Sequence, residues 1–271
     1  MIGTFSTIAS PGVAAAMPLP HCKFGPLGSL GVDRSKLRSL PRLATFMSAE
    51  LPAAPPVFNY ANGITNWGMM LNDQLGCCEV ATAGHLRMAW TYAATGTAVA
   101  VPDSVVLSTY SALTGYDPAT GQNDTGIATD DLLNYWQTTG IGGNKIAGCV
   151  AIDPTNQAEV QQAIYLFGGV FVTVNLPKSA EDQTSAGQAW SPVFWSPTLG
   201  GHAIPYLSYG PAGTTAITWG AAQDVTWEFT RQKCNGMFAI VDNDFFNAEG
   251  KSPRGLDTAG MFNAMQQLRA V

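Results

Sequence analysis

Eight prolines fall within the first 56 residues, at positions 11, 18, 20, 26, 41, 52, 55 and 56. Each fixes its own φ and pushes its predecessor toward extended geometry, so no helix or central strand of ordinary length runs through that stretch. One short helix fits between Asp33 and Met47. Residues 1–57 therefore read as an extended arm, and compact structure begins near Phe58 to give a domain over 58–271. The arm is basic: residues 1–50 carry five bases and two acids, a balance of +3, against −9 for the remainder. An acidic body excludes general nucleic-acid binding, which needs a basic face. The arm can dock on an acidic neighbour, on its own body, or on nucleic acid inside an assembly.

Beyond the arm the pattern is helical first and strand-rich later. A helix follows Cys78 through Val80, His85, Leu86 and Trp90 to about Ala94. Pro102-Asp103-Ser104 starts another, with Val106, Leu107, Tyr110 and Leu113 on one face. Thr129 is placed to cap a third, and a fourth spans 156–167. Strand signals follow at Val170–Leu176, His202–Tyr209, Thr214–Trp219 and Phe238–Asp242, rich in β-branched and aromatic residues. A helix near Val225–Cys234 interrupts them, and a last one follows Asp257. This order predicts an α+β domain, a helical half followed by an antiparallel sheet half.

The five cysteines are odd in number and irregularly spaced, which suits reduced thiols better than a disulfide framework. Gly76-Cys77-Cys78 opens the first helix, where the dipole lowers a thiol's pKa and the amides face any oxyanion formed beside the sulfur. Adjacent cysteines cannot share one orientation, so at most one is a nucleophile. Only three histidines exist. His21 lies in the arm, and His85 lies about 10.5 Å along the helix from Cys78, too far for a hydrogen bond. His202, in Gly200-Gly201-His202-Ala203, is left as the base of any Cys–His pair.

Asn72-Asp73-Gln74-Leu75-Gly76-Cys77-Cys78, Gly200-Gly201-His202-Ala203 and Thr218-Trp219-Gly220, taken in order, resemble the papain-like cysteine peptidase fold. They are more closely similar to a group of uncharacterised phage and prophage proteins with Asn-Asp-x-x-Gly-Asp-Cys, Trp-Gly-Gly-His and Thr-Trp-Gly motifs. The 124 residues from Cys78 to His202 are near the ~130 typical of papain-like enzymes. The resemblance implies Cys78 as nucleophile, His202 as general base and acid, and Asn72 in the oxyanion hole, with Gln74 a second candidate there. No Cys or His pairs recur at finger-like spacing, so no metal and no cofactor is expected. The pattern departs at Ile217, where papain-like enzymes carry the Asn or Asp that orients the histidine. Thr218 is adjacent, but does not hold an imidazolium as a carboxylate or amide does. Cys77 replaces an acid of the phage group, and Glu79 replaces the aromatic residue after the papain nucleophile. What remains is either a Cys–His dyad or a retired active site.

Other constellations carry less chemistry. Asp117, Asp124, Asp130 and Asp131 lack the alternating spacing of a Ca²⁺ loop and read as a solvated loop with helix-starting acids. Gly140–Lys145 matches no phosphate loop and reads as a turn. Trp190, Phe194 and Trp195 either line a cleft near His202 or pack in the core. No apolar run approaches the ~18 residues of a membrane span, and the first lysine comes only at position 23, which predicts no membrane contact and no secretory signal. Charged residues make up 12% of the chain, about half the usual share, which points to a surface set against partners. The expected role is a phage virion component, assembled in the host cytoplasm, whose arm binds other virion proteins or further copies of itself. The alternative is an active papain-like thiol hydrolase, a peptidase or an amidase.

Overall fold

The computed structural model describes residues 24–32 and 53–256. The helices expected over 33–47 and after Asp257 lie outside those residues. A two-residue strand β1 (Phe58–Asn59) precedes three helices, α1 (Cys78–Thr95), α2 (Asp103–Thr114) and α3 (Thr129–Thr138). The chain continues through β2 (Ile146–Ala151), α4 (Gln157–Phe167), β3 (Val170–Pro177) and α5 (Lys178–Ser185). It ends in β4 (Thr198–Tyr209), β5 (Gly213–Thr218), β6 (Ala221–Thr226), α6 (Trp227–Lys233) and β7 (Cys234–Asp242). The strands form one antiparallel sheet in the order β2-β7-β3-β4-β5-β6, with β1 on the end of β4. The architecture is α+β, helices first and antiparallel sheet later.

Local chemistry sets the helix ends. Extended Pro102 launches α2, and Gly115 closes it in the left-handed conformation. The Asn156 side chain accepts the Glu159 N–H to start α4, and Gly168 ends it. At α3 the expected cap is absent. Ala128 holds the N-cap position, and Thr129 is already helical, its hydroxyl spent instead on Glu79 of α1.

Helix α1 is the central pillar, buried at 13 of its 18 residues. A helix apolar or small nearly all round belongs inside. Gly84 admits the Met70 thioether, since a Cβ there would lie 2.3 Å from that sulfur. Trp90 stacks on Trp136 at 5.9 Å and donates its indole N–H to the Phe167 carbonyl at 2.9 Å. Besides the two-residue β1, three elements were not anticipated from the sequence. β2 is Ile-Ala-Gly-Cys-Val-Ala, too poor in β-branched residues to announce itself, and β6 supplies Val225 as a strand residue where a helix was expected. The polar α5 rests on tertiary bonds such as Gln183 to Ser191. No helix of the described residues is long and apolar enough to cross a membrane.

Candidate active site

One wall of the site is the turn that leads into α1. Met70 and Leu71 both take positive φ, 51° and 60°, and the Leu71 carbonyl accepts the N–H groups of Gln74 and Leu75 at 2.9 Å each. The Gly76 N–H is held by Asp124 Oδ1 at 2.9 Å, and Tyr110 donates its hydroxyl to the same oxygen at 2.5 Å. Asp124, though solvent-exposed, also braces the cysteine turn. The Cys77 thiol donates to the Met70 carbonyl at 3.4 Å, which turns it into the loop. Cys78 is the first residue of α1, and the backbone N–H groups of Ala203, Gly28 and Glu79 face its sulfur.

The opposite wall is the sheet. His202 lies in β4 opposite Val174, with its Nε2 2.8 Å from the Thr218 hydroxyl. The Trp219 ring stacks on the imidazole at 4.7 Å, nearly parallel. Trp219 and Gly220 form the two-residue turn between β5 and β6, both with positive φ (45° and 76°), as a hairpin turn of this length requires. Thr218, discounted on the sequence as an orienting group, is the residue that holds the ring. Ile217 points to the other face of β5 by strand alternation and cannot reach it.

Residues 24–32 run through the cleft between these walls. The Ser29 N–H donates to the Gly201 carbonyl at 3.1 Å, and the Leu30 N–H to the Ile127 carbonyl at 2.9 Å. In return the Ile127 N–H donates to the Gly28 carbonyl at 2.7 Å and the Thr129 N–H to the Gly31 carbonyl at 3.0 Å. The Ser29 hydroxyl donates to Glu79 Oε1 at 2.5 Å, and Thr129 donates to the same oxygen at 2.9 Å. Phe24 meets Trp219 edge-on at 4.9 Å. Under this cover Cys78 and His202 are each 0% exposed.

The cover reverses the expected electrostatics. Burial, helped by the neighbouring Glu79 carboxyl, pushes the Cys78 thiol up to about 12, outweighing the N–H groups that face it. The helix terminus alone would lower that value, as the sequence led us to expect. Burial likewise pushes His202 down to about 3 and Glu79 up to about 8. In the covered state the thiol and the imidazole are therefore both neutral at pH 7.

Of the expected site residues, Cys78 has its sulfur at the amide of Ala203, the residue that follows His202 on β4. The His202 Nδ1 is buried with no hydrogen-bond partner. Asn72 is 2% exposed on the same wall as Cys78, and its Oδ1 also has no partner. Gln74 is not part of the site: it is exposed and lines a surface pocket with Asp73 and Asp103. His85 bonds the Gly68 carbonyl at 3.1 Å and packs edge-on against Trp67. Trp190 is buried against Trp219, whereas Phe194 and Trp195 are 84% and 87% exposed. Sequence reasoning missed Gly28 and Ser29. Their only signal was the small-residue run Leu27-Gly28-Ser29-Leu30-Gly31 inside an otherwise proline-punctuated arm.

No family model and no curated protein matches the chain. Solved structures do. Xylellain, a cysteine protease from Xylella fastidiosa, superposes with a TM-score of 0.60 at 10% identity, over 82% of this chain and 98% of that one. The fold is that of the papain-like cysteine proteases. Two further structures share it, proCathepsin B S9 from Trypanosoma congolense and digestive procathepsin L 3 of Tenebrio molitor larval midgut. Their TM-scores are 0.54 and 0.53 at 10% and 9% identity, covering 81% and 72% of this chain and 87% and 72% of theirs. Segment 24–32 touches both the turn before α1 and the sheet cluster, through Gly28 at Gly76, Ser29 at Gly201 and Phe24 at Trp219.

Proposed function

We propose that the protein is a thiol hydrolase of amide bonds, held covered by residues 24–32 of its own N-terminal arm. The observation that carries this reading is the preserved wall around His202. Its ring is oriented by Thr218, sandwiched by Trp219 and left with Nδ1 free, on the strand facing a cysteine at a helix N-terminus. Once the cover leaves, the desolvation that keeps both groups neutral is relieved, and the helix terminus favours the thiolate. The Cys78 proton then passes to His202, and the sulfur bonds to the substrate carbonyl carbon. The amine departs with that proton, and water cleaves the thioester to release the acid and restore the thiol. Asn72 and the first amides of α1 are the donors for the oxyanion.

The same residues are open to a second reading, a component of a phage particle in which this chemistry is retired. It is supported by the motif resemblance and the low charge. Labelling separates the two. A thiol-directed epoxide is applied to the full chain carrying Gly28→Val, which cannot seat the cover. Selective modification of Cys78 that is fast near neutral pH and lost with His202→Ala is the expected result. Slow, equal labelling of every accessible thiol would leave only the structural role.

A further inference from the structure

The segment in the cleft is gripped by backbone on both sides, and the grip is selective. A Cβ at position 28 would lie 1.7 Å from the Gly76 carbonyl oxygen, closer than any side-chain atom can stand. From the other side, a Cβ on Gly126 would lie 2.3 Å from the Gly28 carbonyl oxygen. Gly28, Gly76 and Gly126 therefore meet at a constriction lined by main chain, which cannot rotate aside as a side chain would. One residue on, the Ser29 hydroxyl reaches a buried carboxyl whose second oxygen, Glu79 Oε2, has no partner. One residue back, Leu27 packs where Gly200 leaves room, 3.1 Å from the place a Cβ would take.

We propose that this cleft is a sequence-selective site for an extended Leu-Gly-Ser peptide, in which Gly76 and Gly126 admit only glycine and Glu79 reads the hydroxyl of the next residue. The arm fills that site in cis. Its Gly28 N–H faces the Cys78 sulfur. The constriction bounds the width of the peptide and not its direction, so it acts equally on a substrate that runs the other way. The inference rests on the hydrolase reading in one respect, that a peptide entering from outside is the substrate. Selectivity of this kind comes from what the wrong residue would clash with, or leave unpaired, as much as from what the right one gains.

Alkylation of Cys78 by iodoacetamide in the full chain, followed by mass spectrometry, reads the grip in cis. Gly28→Ala is expected to raise the rate at least 100-fold and Ser29→Ala about 10-fold. Leu30→Ala, whose side chain is 65% exposed, changes it less than twofold. A second measurement uses the full chain with Gly28→Val and Cys78→Ala, checked for folding by circular dichroism. A fluorescent Pro-Leu-Gly-Ser-Leu-Gly peptide should bind it. The peptide with alanine for glycine should bind at least 100-fold more weakly, and that with alanine for serine about 10-fold more weakly. Equal rates for Gly28→Ala and Leu30→Ala, or equal binding of the three peptides, would overturn the proposal. Binding is measured without the nucleophile, so selective binding by a chain whose uncovered Cys78 shows no His202-dependent reactivity toward the epoxide would sink the hydrolase reading and leave this one standing. Such reactivity without selective binding would do the reverse.

Discussion

The two walls of the cleft are built on different terms. The sheet wall orients its histidine by itself: Thr218 and Trp219 fix His202 from the next strand and its turn, although Phe24 and Ser29 of the arm also touch this wall. The helix wall is complete only with the arm. Its acid, Glu79, accepts at Oε1 from Ser29 and Thr129, each 50 residues away, and its cysteine is faced by the Gly28 amide. A wall completed by a segment from another part of the chain depends on that segment staying seated, whereas one that orients its histidine alone serves as the fixed reference.

The sheet wall should therefore answer mutation with lost stability, and the largest loss is expected at Trp219. Trp219→Ala removes a buried ring that stacks on His202 and meets Trp190 and Phe24, at a cost of about 3–5 kcal/mol. Urea denaturation reads this directly, and a loss below about 1 kcal/mol would mean the wall is not the rigid one. Thr218→Val keeps the shape but strips His202 Nε2 of its buried partner, for about 1–3 kcal/mol. Thr218→Ser, which retains the hydroxyl, should recover most of that loss in the same assay.

The sequence was legible where the determinants are local. Cys78 at a helix start, Pro102-Asp103 opening α2, and the β-branched run of β3 follow from capping and periodicity, and the structure places them as expected. His202 was reached by elimination among three histidines. Thr218 was visible but misjudged, because a hydroxyl looked inadequate before the strand showed that Ile217 faces away. The cover was not legible at all. Its partners are main-chain atoms of Gly76, Ile127 and Gly201, groups every residue possesses and no side-chain pattern betrays. Glu79 was hidden for a related reason: an acid in a first helical turn is ordinarily a solvated one, welcome to the dipole.

That buried acid gives the helix wall a proton signature opposite in sign to that of the sheet wall's histidine. Glu79 is raised by burial from the usual 4.5 to about 8, so as pH rises the unfolded chain loses this proton before the folded one does. Its contribution is full below pH 4.5 and is lost up to about pH 8. The buried histidines act in the opposite sense. With His202 lowered to about 3 and His85 to about 4 from 6.5, stability falls as pH drops below 6.5. Asp242, raised to about 6, has also finished its effect by then. Between pH 6.5 and 8 Glu79 acts without them, with a slope of up to about 1.4 kcal/mol per pH unit, stability decreasing as pH rises. Glu79→Gln should flatten that slope in urea titrations, and an unchanged slope would mean that the covered carboxyl holds no proton.

The smallest effect is expected where the sheet wall reaches the surface. Two tryptophans have positive φ, Trp219 at 45° and Trp195 at 65°. Such a backbone costs a side-chain-bearing residue about 1–2 kcal/mol. At Trp219 the ring's burial on His202 more than offsets it. At Trp195, 87% exposed and touching Phe194 edge-on, little does. Trp195→Gly relieves the strain and forfeits little packing, but glycine also makes the unfolded chain more flexible by roughly 0.5–1 kcal/mol. The net expectation is a gain of about 0.5 kcal/mol, with Cys78 labelling unchanged. A loss of more than 1 kcal/mol, or faster labelling, would show that the loop before β4 braces the His202 wall from outside, and that the wall is less self-contained than its hydrogen bonds imply.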